Sequence, residues 1–403
     1  MTAIEAKIIR RDINEENQVQ ALTGSIGGVV FQARGIGSFV PNEKYPELGF
    51  KGRWISGKNP DFTPDENRLY MAEEAARSIA DVSRKRGFYT YVDRVRLGSA
   101  SAPMGIENEV KRILEERYDL KVGDIIRDSL ACNGTVWALT QAAQWKIPDT
   151  RNVVVTIEHV SPVTREVPFL DELFGDGVGA MAFETGDISV LATNSLFEQD
   201  TAGVITIPHH SLGTLAPPEG RTPFKGDGSC KVIGHEGSVF GYRNGLHQPI
   251  KLSEGDVATM DGLALKQYFS LAPIEVMEET LKQYGGAQGN EGYTELNPYG
   301  VIHQPSEPVL VGGIIKNIDR SDKPARSAKR PYAPGGLHLK NHIQHIWTPS
   351  LERATLHHNN ISGATIVFSL LAMVEAGLIT KEDIMMTGVG VGNNITSTIF
   401  RFS

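Results

Sequence analysis

With 403 residues, 40% of them hydrophobic and 22% charged, the chain is long enough for two subdomain-sized units around a large core. A formal charge of −8 argues against a general nucleic-acid binder, which needs a marked excess of lysine and arginine. Two cysteines, Cys132 and Cys230, cannot build a disulfide framework; the polar N-terminus has no signal-peptide core and no apolar run reaches membrane length, so the expected location is cytoplasmic.

Taken in chain order, residues 1–28 read as an N-terminal extension, charged at first and loose at TGSIGG, with order expected from the strand VVFQARGIGSFVP at 29–41. A helix is predicted from about Asn67 to Gly87, with Asp65 as its cap. VDRVRLGSAS is a strand running into small residues, ENEVKRILEERY an amphipathic helix, and IIRDSL a strand that delivers Cys132 to a further helix, TVWALTQAAQWK. RNVVVTIEHV is a β-branched strand of the buried kind, and ELFGDGVGAMAFETG a glycine turn entering another strand. This βαβαβ order reads as an α/β layered fold.

The second half repeats that order. A helix at 260–285 precedes the strand YGVIHQPS, LHHNNISGATIVFSLLAMVEAG is a polar turn entering an apolar helix, and DIMMTGVGVGNNITSTIFRF supplies strand, glycine turn and strand. Cys132 stands 21 residues before the strand at 153, and Asn360 stands 24 before the strand at 384. Two related halves are therefore expected, 29–190 and 191–403, with the helix starts at Cys132 and Asn360 facing each other. From Ser101 to Cys132 is 31 residues but from Ser306 to Asn360 is 54, so an insertion is expected in the second half, around 316–345.

A cysteine at a helix start has two readings: a small hydrophobe filling a core, or a thiol biased toward thiolate and able to attack an acyl group. Its surroundings favour the second. ACNG around Cys132, LFGDGVGA at 173–180, IHQPS around His303, NNISGAT from Asn359 and a glycine loop before the closing RF together resemble the thiolase superfamily, and within it the β-ketoacyl-acyl carrier protein synthase III type. The motifs run in the family's order and span nearly the whole chain.

The resemblance implies a duplicated αβαβα five-layer fold, a homodimer and a Cys-His-Asn triad, which falls by motif on Cys132, His303 and Asn360. Cys132 would accept an acyl group from a thioester. His303 and Asn360 would then stabilise the enolate formed when a malonyl thioester loses its carboxylate, an effect worth about 3 kcal/mol per donor in such sites. Backbone N–H groups of Cys132 and Val391 would form the oxyanion hole. No cofactor or metal is implied; coenzyme A or acyl carrier protein thioesters are the substrates.

Some positions depart from the family pattern. Val391 stands in the loop where the family usually has glycine, and Pro305 and Ser306 replace its residues after the histidine. The family's coenzyme A grip, a tryptophan and an arginine, survives as an echo in Trp54 and Lys58, which leaves the donor either coenzyme A or a carrier protein. Asp176 reads as a structural turn residue and Cys230 as incidental. Asn360 is a helix cap and a donor at once, or Asn359 takes the capping part.

His338, His342 and His345 have metal-like spacing, but without a carboxylate or cysteine at a matching step they do not make a zinc site. Residues 316–330 carry six basic side chains against two acidic, which suits docking of an acidic carrier protein and equally a solvated loop. The expected activity is decarboxylative Claisen condensation in a specialised fatty-acid or polyketide-type pathway. Its rivals are acyl transfer to an alcohol or amine, and a silent partner subunit of a heterodimer. Retention of Cys132, His303 and Asn360 favours condensation.

Overall fold

Seven strands form the larger sheet of the computed structural model, in the order β1–β2–β3–β9–β8–β6–β7. The structure describes residues 4–56, 64–99, 101–103, 105–128, 130–164, 170–197, 205–206, 231–233, 238–240, 249–251, 259–260, 262–287, 299–319, 339, 344–345, 347–380, 382–390 and 394–403. The strands of the larger sheet are β1 (Ala6–Ile13), β2 (Val19–Ile26), β3 (Val29–Gly35), β6 (Tyr91–Gly98), β7 (Lys121–Asp128), β8 (Arg151–Glu158) and β9 (Gly177–Glu184). A small hairpin, β4 (Ser38–Pro41) with β5 (Gly52–Ile55), lies outside it.

The second sheet runs β10–β19–β18–β16–β17, from β10 (Ile188–Phe197), β16 (Tyr299–Ile302), β17 (Gln344–His345), β18 (Asp383–Gly390) and β19 (Asn394–Phe402). Between β10 and β16 come the pair β11 (Ile205–Thr206) and β15 (Thr259–Met260), and the three-stranded β12 (Lys231–Ile233), β13 (Ser238–Phe240) and β14 (Pro249–Lys251).

Five strands of the first sheet, β3–β9–β8–β6–β7, match the second sheet strand for strand. In both, the two joints nearest β3 or β10 are antiparallel and the next two parallel. The mixed α/β class expected from the sequence is borne out.

Five helices cover these sheets: α1 (Pro64–Arg86), α2 (Ile106–Tyr118), α3 (Gly134–Ala143), α4 (Gly262–Ala287) and α5 (Thr365–Glu375). Helix α1 buries Met71, Ala72, Ala75, Ala76, Ile79 and Ala80, a helical-period stripe, against β3, β8 and β9. Helix α5 is buried at every residue from Thr365 to Val374, as a helix must be when both flanks are covered. It touches β1, β2, β3 and β9 on one side and β16 on the other. Helix α3 likewise touches β6, β7 and β8 of the first sheet and β10, β18 and β19 of the second. No described helix is long and apolar enough to cross a membrane.

Two sequence expectations change here. Order begins before Val29: β1 and β2 form an antiparallel hairpin that extends the first sheet beside β3. The glycine of TGSIGG that looked loose serves close packing, because a Cβ on Gly24 would lie 2.7 Å from Leu371 Cδ2 of α5. Helix α1 starts at Pro64, not after an Asp65 cap; Asp65 sits within the first turn, where its charge suits the helix dipole, and pairs with Arg68 at 2.9 Å.

Candidate active site

Cys132 lies in a 3-10 turn, Ala131–Asn133, that leads from β7 into α3. The turn and the helix start after it are held by segments of the second half. Asn133 Nδ2 donates to Thr396 Oγ1 of β19 at 2.9 Å, and Thr135 Oγ1 donates to the carbonyl of Gly363 at 2.7 Å. Gly363 belongs to the matching 3-10 turn, Ser362–Ala364, at the start of α5. The two helix starts therefore pack against each other across the sheets, with Gly363 admitting the approach: a Cβ there would meet Thr135 Oγ1 at 3.2 Å.

Asn360 is strapped to the FGDG turn through its backbone. Its N–H donates to Leu173 O at 3.1 Å and its carbonyl accepts from Gly175 N–H at 3.2 Å. Asp176 of that turn is wholly buried and accepts from the N–H groups of Ser56, Val160 and Ser161 and from the Ser161 hydroxyl. It ties three segments together and has the architectural part expected of it. The Asn360 side chain bonds at both ends: Nδ2 donates to Pro305 O at 3.3 Å, and Oδ1 accepts from Ser362 N–H at 3.0 Å. The second bond closes an Asx-type turn on Ser362. Neither asparagine caps a helix: the cap positions are Ile361 for the 3-10 turn and Ala364 for α5, both without a side-chain cap bond, and the buried amide of Asn359 has no hydrogen-bond partner among the described residues.

His303 follows β16 and its N–H donates to Thr387 O of β18 at 3.0 Å. Its Nδ1 lies 2.6 Å from Thr365 Oγ1, whose hydroxyl donates to the carbonyl of Ser362 at 2.7 Å. A hydroxyl has one hydrogen, and Ser362 O takes it. Toward the imidazole Thr365 Oγ1 is then the acceptor, so Nδ1 carries the ring proton and Nε2 holds the lone pair. Burial holds the ring neutral, pulling its pKa down to about 3 against a hydrogen bond with the Ser362 backbone that favours the charged form.

Ser362 also reaches the sulfur: its Oγ donates to Cys132 Sγ at 3.2 Å. One residue thus touches Cys132 with its hydroxyl, Asn360 with its N–H and the His303 support with its carbonyl. The sequence reading missed Ser362 and Thr365, although both stand in NNISGAT. It also missed Glu158, an acid at the buried end of the apolar strand β8, whose Oε2 accepts from Ser101 N–H at 3.0 Å and Ser101 Oγ at 2.7 Å. A lone carboxylate closing a VVVTI run was the available signal.

The thiolate expectation needs correction. The Cys132 thiol is pushed up to about 12, first by burial and further by the Glu158 carboxylate; the Ser362 hydroxyl and the backbone N–H of Cys132 pull the other way and lose. The resting sulfur is protonated. Trp54 is fully buried, lies against Gly35, where a Cβ would fall 2.2 Å from the ring, and donates its indole N–H to His357 O at 2.9 Å. Lys58, Val391 and Cys230 lie outside the described residues, as do His338, His342 and most of the insertion expected around 316–345.

No model of a known protein family matches the chain, and no curated protein does. Solved structures do. The β-ketoacyl-acyl carrier protein synthase III of Thermus thermophilus aligns over 92% of this chain and 97% of its own, at 14% identity and a TM-score of 0.59. Cerulenin-bound OleA of Xanthomonas campestris aligns over 92% and 95%, at 14% identity and a TM-score of 0.56. AbyA1, a tetronic acid condensing enzyme, aligns over 92% and 97%, at 16% identity and a TM-score of 0.55. The fold is that of the thiolase-superfamily condensing enzymes. Within this condensing-enzyme fold the alignments span nearly the full length of both chains.

Proposed function

We propose that the protein is a β-ketoacyl synthase III-like enzyme that condenses an acyl thioester, loaded on Cys132, with a malonyl thioester by decarboxylative Claisen chemistry. The observation that carries this reading is the convergence of Cys132, His303 and Asn360 on the one residue Ser362. In loading, the Cys132 proton passes to the His303 Nε2 lone pair, the sulfur attacks the acyl carbon and the donor thiolate departs. The backbone N–H groups of Cys132 and Val391 receive the oxyanion. In condensation, His303, keeping on Nε2 the proton taken from Cys132, and Asn360 Nδ2 hold the enolate oxygen as carbon dioxide leaves; the carbanion attacks the acyl carbon, the bond to the Cys132 sulfur breaks, and the departing sulfur takes its proton back from His303. The Pro305 carbonyl gives the Asn360 amide its resting partner, which substrate replaces.

We also read the two matched sheets, 29–190 and 191–403, as the halves of a duplicated αβαβα five-layer fold working as a cytoplasmic homodimer. Sheets β3–β9–β8–β6–β7 and β10–β19–β18–β16–β17, with α3 and α5 touching both, support the duplication. The basic stretch at 316–330 supports an acyl carrier protein as donor or acceptor, with coenzyme A thioesters as the other source.

The test is intact-mass detection of an acyl adduct after incubation with acyl thioesters, followed by malonyl-carrier protein and measurement of carbon dioxide. Cys132→Ala abolishes loading; Asn360→Ala spares loading and impairs carbon dioxide release. An adduct without decarboxylation points to the acyltransferase reading, and no adduct with any donor to the silent subunit.

A further inference from the structure

Ser362 is one of four non-glycine residues among those described with positive φ, at 47°, a conformation that costs an L-residue energy and persists where its surroundings hold it. The surroundings here are the site. From that backbone pose the N–H points to Asn360 Oδ1, the carbonyl to the Thr365 hydroxyl that supports His303, and the side-chain hydroxyl to Cys132 Sγ, at 3.0, 2.7 and 3.2 Å. The residue is 2% exposed, so these bonds are shielded from bulk solvent. Its carbonyl and N–H are generic to any residue in this pose. Its hydroxyl is not.

We propose that Ser362 is a positioning residue that sets the nucleophilicity of Cys132, its hydroxyl stabilising the thiolate through a direct hydrogen bond to the sulfur. The inference deepens the reading of Cys132 as the acyl acceptor and rests on it. A donor on sulfur favours the charged form, and in a buried site this counts for more than in water. The groups facing Cys132 divide by sign. The Glu158 carboxylate at the end of β8 opposes ionisation, and the imidazole beyond β16 is neutral. The Ser362 hydroxyl and the Cys132 N–H are thus the groups named here that favour the thiolate. Losing a hydrogen bond to a charged atom corresponds to a tenfold or larger change in the ionised fraction.

The test is the pH dependence of Cys132 alkylation by iodoacetamide between pH 6 and 10, read by peptide mass so that Cys230 does not contribute. Two variants separate the hydroxyl from the backbone. Ser362→Ala keeps the strain and loses the hydroxyl; Ser362→Gly takes φ of 47° freely and also loses it. The expected result is that both alkylate Cys132 about tenfold more slowly than the wild type at every pH in that range, and to the same extent, while their melting temperatures differ. Rates equal to or above wild type in Ser362→Gly overturn the proposal, and so does a slowing confined to Ser362→Ala, which would trace to backbone strain. Alkylation needs no thioester donor, so a failure to form an acyl adduct leaves this result readable by itself.

Discussion

Gly98, at the end of β6, and Gly134, the first residue of α3, touch backbone to backbone: a Cβ on Gly98 would fall 2.6 Å from the Gly134 carbonyl oxygen. The strand that ends beside Ser99 and the helix that begins beyond Cys132 are seated on this contact. Gly98→Ala is expected to cost about 1–3 kcal/mol by overpacking and to lower acyl loading by shifting the Cys132 turn. Gly134→Ala, whose Cβ meets Gly98 at 3.2 Å, should cost less. Urea titration of both variants ranks them; equal stability would refute the contact as described.

Replacing Glu158 removes a charge that opposes ionisation of the Cys132 thiol. Glu158→Gln should lower the Cys132 pKa and raise its alkylation rate at pH 8 severalfold. It should also cost about 1–3 kcal/mol, because the Ser99 and Ser101 donors lose a charged acceptor. Slower alkylation in a folded variant would mean that Glu158 acts on the sulfur other than through its charge.

Acid should unfold the protein in part through its buried histidines. Burial lowers the pKa of His303 to about 3 and of His358 to about 4, against 6.5 for the free side chain. Below pH 6.5 the unfolded chain takes up protons that the folded rings refuse. Stability is therefore intact above 6.5 and declines as pH falls toward the folded values, at up to about 1.4 kcal/mol per pH unit per histidine. Denaturant midpoints at pH 7, 6 and 5 measure the slope, and His303→Asn should make it shallower. An unchanged slope would show that the ring is not buried as neutral imidazole.

Trp54 gives a clean separation between packing and donor binding. Trp54→Ala should lose about 3–5 kcal/mol, as large buried aromatics do. Trp54→Phe should lose less, mainly the bond to His357 O, and leave the KM for a coenzyme A thioester unchanged. A KM raised severalfold in a stable Trp54→Phe protein would return the ring to the donor site.

The family resemblance pointed by motif to Cys132, His303 and Asn360, and the fold brings Cys132, Asn360 and the hydroxyl that supports His303 onto Ser362. Ser362 was not legible, since its part depends on a φ of 47° that no residue type announces. The N-terminal hairpin was misread for a related reason. Glycine in β2 signals slackness in a sequence, yet Gly24 stands where α5 leaves no room for a side chain. The burial of Trp54 was not legible either, because a Trp-Ile echo carries no information about packing. The thiol's protonation was missed as well: the helix start was visible, but the surrounding apolar volume and the Glu158 charge belong to tertiary structure.

The position of β19 has a consequence for biosynthesis. Among the described residues, strand β10 joins the second sheet only through β19, which pairs with β10 on one side and β18 on the other, although some two hundred residues separate the two partners in the chain. As the polypeptide emerges from the ribosome, β10 has an open edge until residues 394–402 arrive. Asn133, next to Cys132, finds its partner Thr396 on that same late segment. The Cys132 turn thus gains this anchor only after synthesis has passed it by some 260 residues, and an unpaired edge is exposed to wrong pairing in the meantime.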